Sequence, residues 1–176
     1  MIRILATAVL GVALAAPLAA QENTSVAAFR DWSVFTPSDP RECYIVSPPV
    51  KTEARRGGSD VTSQVRRGDI LLFVTIRPEQ GVDKEVSFTG GYPFASGDTI
   101  DVEIGGTKYA LSPGNGDSDE WAWPPSPDRD KELVDAMRAG VQAVITGVST
   151  RGTTTIDTFS LLGFTAALEK AEELCS

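Results

Sequence analysis

The sequence contains no histidine among its 176 residues. Histidine is the usual general base near neutral pH and the commonest metal ligand in proteins. Its absence excludes Ser-His-Asp and Cys-His catalytic systems and most zinc sites. Ser149, which lies between Gly147 and Gly152, has neither the spacing of a nucleophile elbow nor a base to activate it, and is better interpreted as part of a hairpin turn.

Basic residues are also few, with 16 Lys and Arg against 24 Asp and Glu and a formal net charge of −8. This balance argues against a basic surface for nucleic acid or anionic lipid, so we expect no nucleic-acid partner. The one basic cluster consists of Arg55, Arg56, Arg66 and Arg67, which we place on a hairpin and its loop.

Long apolar runs are absent beyond the N-terminus. The run Ile4–Ala16 follows Arg3 and leads through small residues to Ala20, an order typical of a cleavable secretory signal peptide at residues 1–20. The run is too short to span a bilayer. We therefore expect residues 21–176 to form a single exported domain without a transmembrane anchor. The periplasm is the expected location, and association with the outer membrane or secretion are the alternatives.

Cysteine is limited to Cys43 and Cys175. An even count in an exported chain favours a disulfide, and two cysteines allow one connectivity. The alternative is a reactive thiol pair, but there is no Cys-x-x-Cys motif and Arg41 is the only nearby group that could lower a thiol pKa.

Short β-type runs separated by Gly, Pro and Asp predict a mainly β fold, an antiparallel β-sandwich of immunoglobulin-like or jelly-roll-like type. The predicted strands are Phe29–Phe35, Cys43–Val46, Ile70–Ile76, Glu85–Thr89, Thr99–Ile104, Lys108–Leu111, Val141–Val148 and Thr153–Phe159. The unbroken apolar run Ile70–Val74 indicates a strand covered on both faces. The stretch Ser47–Asp60, rich in Pro and Gly, is predicted as a mobile loop.

Two helices are predicted. Ser126 as N-cap, Pro127 at the first helical position and Gly140 as the stop indicate one short helix over residues 126–140. From Gly163 onward, apolar residues recur at helical spacing and indicate a C-terminal amphipathic helix. The predicted disulfide would clamp the end of this helix, at Cys175, to an early strand.

Aromatic residues, which make up 7% of the chain, provide the candidate binding surface. Trp121 and Trp123 flank Ala122, and on a strand they would point to the same face. Tyr92 and Phe94 follow a Gly-Gly pair. If exposed, these rings would form a stacking platform for sugar rings or for a protein partner; if buried, they would close one end of the core.

Three other sequence patterns give weaker indications of function than the aromatic residues do. Acidic residues are numerous, and a carboxylate pair at a suitable distance could hydrolyse a glycosidic bond, although spacing cannot reveal such a pair. The loop Asn115–Glu120 resembles a calcium loop but lacks the turn glycine and the bidentate Glu, so we predict no metal and no cofactor. Arg67-Gly68-Asp69 spells an adhesion tripeptide where a turn should precede a strand, and its charges are expected to blunt the strand end.

Several segments are similar to those of one known family. They are Asp31–Val34, Gly90–Phe94, Trp121–Trp123, the amphipathic stretch Leu133–Gly140 and the block Ser149–Phe164. Together they resemble the invasion-associated locus B (IalB) family, which comprises exported envelope proteins of alphaproteobacteria. The resemblance extends from about Phe29 to Cys175.

This resemblance implies a periplasmic or envelope-associated β-sandwich with no established catalytic residues, so no active-site positions carry over. The family name comes from pathogen members linked to entry into host cells. Many members have a Trp-x-Val-x-Cys pattern, whereas here Thr36 occupies the cysteine position. The chain therefore resembles a variant group that lacks this additional cysteine.

Our primary hypothesis is a non-enzymatic envelope protein that binds an envelope or host component, either a protein or a glycan. The candidate contact residues are Trp121, Trp123, Tyr92, Phe94 and Arg151. Two alternatives remain open at this point. One is a carboxylate-dependent hydrolase or lyase acting on an envelope polymer, and the other is a cell-surface adhesin or invasion factor.

Overall fold

The computed structural model describes residues 25–37 and 41–176, so the signal-peptide interpretation of residues 1–20 lies outside the described residues. Within these ranges the α-helices are α1 (Pro127–Ala139) and α2 (Phe164–Cys175). The strands are β1 (Ala27–Phe29), β2 (Trp32–Phe35), β3 (Cys43–Ser47), β4 (Lys51–Arg56), β5 (Ser59–Asp60), β6 (Leu71–Arg77), β7 (Val82–Thr89), β8 (Ile100–Ile104), β9 (Thr107–Pro113), β10 (Trp121–Trp123), β11 (Gln142–Val148) and β12 (Thr154–Ser160).

The strands form one continuous antiparallel sheet in the order β1-β2-β3-β6-β7-β10-β9-β8-β11-β12-β4-β5. Strand β9 belongs to both halves, because its first part pairs with β8 and its last residues pair with β10. The halves pack across a common core, where Phe88 of β7 meets Phe159 of β12 with 6.0 Å between ring centroids. The predicted mainly antiparallel β fold with two helices is confirmed; its two layers are parts of one folded sheet.

Helix α2 covers the inner face of the sheet at β1, β2, β3 and β6. Its buried stripe includes Phe164 and Leu168, as the amphipathic pattern predicted. Gly163 precedes the helix with φ of 92°, and a Cβ there would clash with the carbonyl of Phe29. The predicted disulfide joins Cys43 of β3 to Cys175 at the end of α2, with 5.9 Å between the Cα atoms.

Helix α1 begins at Pro127 and ends before Gly140, as the sequence predicted. Ser126 caps the helix through its carbonyl, which accepts the N–H groups of Arg129 and Asp130, while its side chain makes no capping bond. Gly140 is needed for close packing, since a Cβ at this position would lie 2.6 Å from Ile104 Cγ2.

Asp130 on α1 is a buried carboxylate that completes the edge of β7. Strand β10 pairs with β7 only at Phe88 and Thr89, and beyond that point the Asp130 Oδ1 atom accepts the Val86 N–H at 2.7 Å. Burial raises the pKa of Asp130 to about 6; the bond from Val86 opposes this shift and the nearby charge of Glu85 adds to it.

Two segments have a different secondary structure from the one that the sequence predicted. Phe29–Phe35 is not one strand, because Arg30, with φ of 54°, turns the chain so that Phe29 of β1 pairs with Trp32 of β2. The prediction of a loop over Ser47–Asp60 is also wrong: this stretch forms the hairpin β4–β5, and β4 pairs with β12. The sequence of β4 is polar and gave no local strand signal. The strand forms because it pairs with β12, about a hundred residues away in the chain.

Within its apolar run, strand β6 is fully buried on one face only, contrary to the expectation of cover on both faces. Leu72 and Val74 point into the core, whereas Leu71 and Phe73 are half-buried on the outer face of the sheet. The extra apolar residues of this run therefore supply an outer surface rather than a second core.

Removing the disulfide should destabilise the fold. The bond joins residues 132 positions apart, and the chain-entropy model gives about 5 kcal/mol for such a loop as an upper figure. We expect the variant Cys43→Ser with Cys175→Ser to lose about 2–5 kcal/mol of unfolding free energy, measured by urea denaturation against the oxidised protein. Equal stabilities would show that the bond contributes nothing.

The raised pKa of Asp130 makes stability fall as pH rises. Between its ordinary pKa of 3.8 and the folded value of about 6, the folded state retains a proton that the unfolded state has released. Asp130 should therefore cost the fold about 3 kcal/mol between pH 4 and pH 7. Asp130→Asn should remove this fall in urea titrations, and Asp128→Asn, an exposed change in the same turn, should retain it. An Asp130→Asn variant with the wild-type pH slope would contradict the assignment.

Candidate functional site

The outer face of the sheet carries a row of five half-buried aromatic side chains, which we call the aromatic row. Its neighbouring ring centroids lie between 5.0 and 6.4 Å apart. The members are Phe35 of β2, Tyr44 of β3, Phe73 of β6, and Trp121 and Trp123 of β10. The row thus crosses the sheet perpendicular to the strands.

Small residues on β7 allow the row to be continuous. Strand β7 lies between β6 and β10, which are therefore about 9.6 Å apart. It presents Ser87 and Thr89 to this face, and both are buried. Because these side chains are short, the rings of Phe73 and Trp121 approach each other to 5.6 Å above them.

The two tryptophans share one face of β10, as the strand alternation predicted. Their ring planes differ by only 21°, with 6.4 Å between centroids. The Trp123 indole rests against the backbone at Gly114, where a Cβ would lie 2.9 Å from Cζ3. Each indole packs partly against protein and keeps part of its surface accessible.

Carboxylates lie close to the other end of the row. Arg77 joins two of them, with Nε 3.3 Å from Glu42 Oε2 and Nη2 2.5 Å from Glu85 Oε1. Burial raises the pKa of the Tyr44 hydroxyl, and the charge of Glu42 raises it further. One guanidinium leaves several carboxylate lone pairs free, so this end of the row can accept hydrogen bonds from hydroxyl groups.

Tyr92 and Phe94, predicted to belong with the tryptophans, lie elsewhere. Phe94 is 4% exposed and packs in the core 6.0 Å from Phe88, so its assignment as a contact residue is wrong. Gly147 creates the space, because a Cβ there would lie 2.9 Å from the Tyr92 hydroxyl and 3.1 Å from Phe94 Cε1. Tyr92 bonds Thr155 Oγ1 at 2.6 Å, and burial raises its pKa.

Tyr92 lines a cleft of about 610 Å³ that we call the arginine cleft, because four arginines border it: Arg56, Arg66, Arg67 and Arg151. The predicted contact residue Arg151 thus joins Tyr92 here, while the tryptophans stay on the outer face. Alternation along β4 turns Arg56 to the cleft and Arg55 to the opposite face, where Arg55 pairs with Glu53. Proximity in the sequence had grouped Arg56, Arg66 and Arg67 with Arg55 and left Arg151 apart, so it did not indicate the cleft.

Arg67 and Asp157 form a buried ion pair beside this cleft. Arg67 donates from Nη1 to Oδ1 at 2.8 Å and from Nη2 to Oδ2 at 2.6 Å, and from Nε to the Gly90 carbonyl at 2.8 Å. Its guanidinium also lies 5.1 Å from the Tyr92 ring centroid. Burial raises the pKa of Asp157, which is 0% exposed, and the Arg67 charge opposes that shift.

This ion pair explains the Arg67-Gly68-Asp69 sequence. The Arg67 side chain is committed to Asp157 and is not displayed, so the expectation that it blunts a strand end is wrong. Gly68 packs against Gly91, whose O accepts the Gly68 N–H at 2.9 Å. The partners are 90 residues apart in the chain, which is why no local pattern indicated the pair.

No group of three or more acidic or cysteine side chains that could hold a metal ion occurs within residues 25–37 and 41–176. Among the described residues that line the cleft, Glu120 is the single carboxylate, so the cleft does not contain the acid pair that a glycoside hydrolase requires. Over the same described ranges, no helix combines the length and apolar character needed to cross a membrane.

The fold and these surfaces define a small, disulfide-linked antiparallel β protein that presents an aromatic face and a basic cleft. A family model described as invasion associated locus B (IalB) protein matches residues 63–172, and the chain belongs to this family. The similar solved structures include the invasion associated protein B of Bartonella henselae, with 15% identity and a TM-score of 0.56. That match covers 84% of this chain and 96% of the Bartonella chain, and at this identity it shows a shared fold. No curated protein sequence matches the chain.

Breaking the buried ion pair should cost more than breaking a partly exposed one. Arg67→Met leaves the Asp157 carboxylate buried without a counter-charge, so we expect a loss of about 3–5 kcal/mol of unfolding free energy. The comparison variant Arg77→Met removes an arginine whose side chain is 26% exposed and whose carboxylate partners keep access to water, and it should cost about 1 kcal/mol or less. Urea denaturation measures both changes. A loss for Arg67→Met no greater than for Arg77→Met would contradict the structural role of the pair.

Proposed function

We propose that this protein is a non-catalytic binding protein exported to the bacterial periplasm, and that its aromatic row binds a saccharide of the envelope. The proposal includes a cleaved signal peptide at residues 1–20 and one mature domain over residues 21–176. Family membership supports an invasion-associated locus B type protein. The observation that carries the binding role is the accessible tryptophan pair at the end of a five-ring row.

The shape and chemistry of the row favour a saccharide. Sugar rings present apolar C–H faces, which stack on aromatic rings, and hydroxyl groups around their edges. The row supplies nearly parallel indoles at one end, while Glu42 and Glu85 supply acceptors near the other. A face that combines stacking rings with hydrogen-bond acceptors therefore matches a neutral or weakly charged glycan chain lying across the strands.

Removing the tryptophan pair should weaken this binding. In Trp121→Ala with Trp123→Ala, we expect at least about a tenfold loss of affinity for envelope polysaccharide, because tryptophans that anchor an interface each contribute about 2 kcal/mol or more. A glycan array identifies the ligand, and titration of the selected glycan measures the change.

The matched control is Val141→Ala with Leu162→Ala, which removes two exposed apolar side chains outside the row. This variant should bind as the wild type does. Circular dichroism must show that the tryptophan variant is folded. Glycan affinity that is unchanged in the folded tryptophan variant would rule out the row as the binding surface.

A further inference from the structure

The arginine cleft has more positive than negative charge, because four arginines line it and Glu120 is the one carboxylate among its described lining residues. Within the described part of the chain, Arg56, Arg66 and Arg151 have no carboxylate within 4.0 Å, whereas Arg67 is neutralised by Asp157. The protein as a whole has a formal net charge of −8. Three unpaired guanidinium groups on one concave surface of an acidic protein therefore form a local positive site that selects for an anion.

Two hydroxyl groups in the cleft accept hydrogen bonds from the protein and donate none to its described residues. Thr153 Oγ1 accepts two bonds from Arg56, from Nε at 3.0 Å and from Nη2 at 2.7 Å, which occupy both of its lone pairs. Ser149 Oγ accepts the Thr153 N–H at 3.2 Å. Both hydroxyl protons therefore remain available to a ligand, and both side chains line the cleft while being otherwise buried.

The turn that carries Arg151 is held in place before any ligand binds. The Gly152 N–H bonds the Ser149 carbonyl at 2.8 Å, and the Thr150 N–H bonds the Pro93 carbonyl at 3.0 Å. Gly152 adopts φ of 71°, which a side chain would disfavour. A preformed turn lowers the ordering cost of binding.

We propose that the arginine cleft binds the phosphoryl group of a small phosphate ester or of an envelope head group. A phosphate monoester carries close to two negative charges and three strong acceptor oxygens at neutral pH. Three guanidinium groups and two hydroxyl donors satisfy this group more completely than they would a single carboxylate. The cleft volume of about 610 Å³ leaves room for a sugar-sized remainder.

This site shares no residue with the aromatic row, so it can be tested independently of the proposed saccharide surface. Calorimetric titrations of the full chain should use glucose 6-phosphate, glucuronate and glucose as soluble probes. Flotation with vesicles of phosphatidic acid or of phosphatidylcholine tests the head group. We expect glucose 6-phosphate to bind at least about tenfold more tightly than glucose, or phosphatidic acid vesicles to bind at least about tenfold more tightly than phosphatidylcholine vesicles. In either case the affinity should fall as the salt concentration rises.

The diagnostic variant is Arg66→Gln with Arg151→Gln, in which both changes are exposed and should leave the melting temperature unchanged. It should weaken phosphate-ester binding by at least about tenfold. The control Arg55→Gln is adjacent to Arg56 but faces away from the cleft, and it should bind as the wild type does.

The probes distinguish the source of the phosphoryl group. Preference for glucose 6-phosphate indicates a free ligand, preference for phosphatidic acid vesicles indicates a lipid head group, and either supports the proposal. The proposal is overturned if neither phosphate probe binds, if glucuronate binds more tightly than glucose 6-phosphate, or if the double variant retains wild-type affinity.

Discussion

The buried ion pair between Arg67 and Asp157 joins three distant parts of the chain at one end of the molecule. It connects the segment before β6, the Gly90 carbonyl after β7, and the middle of β12. Removing either partner would leave a charge in a site with almost no access to water. Both charged groups have hydrogen-bond partners, so the pair holds its geometry and fixes the position of Tyr92 and the inner wall of the arginine cleft.

Small residues decide where the large rings lie. The side chains of Ser87 and Thr89 on β7 are short, so the rings of the aromatic row on the two neighbouring strands contact each other above them. Gly90 and Gly147 leave space into which Phe94 folds, and this removes it from the surface. Some aromatic residues of this sequence thus lie on the outer face and others lie in the core. Which of the two happens depends on whether a neighbouring residue lacks a Cβ or has a short side chain.

The row and the cleft make different physical demands on a ligand. The row offers apolar ring surface with carboxylates at one end, and the cleft offers unpaired guanidinium groups and hydroxyl donors. A molecule with both sugar rings and phosphate groups carries features suited to each surface. Neither surface depends on histidine, which the sequence lacks.

Local chemistry in the sequence determined both helices, the disulfide and the shared face of Trp121 and Trp123. Helical periodicity, helix stop signals and strand alternation act over short range, and a single pair of cysteines allows one connectivity. Only the tertiary structure decided the pairing of β4 with β12, the burial of Phe94 and the partnership of Arg67 with Asp157. These features join residues far apart in the chain, and their free energy comes from desolvation and from neighbours that no local pattern specifies.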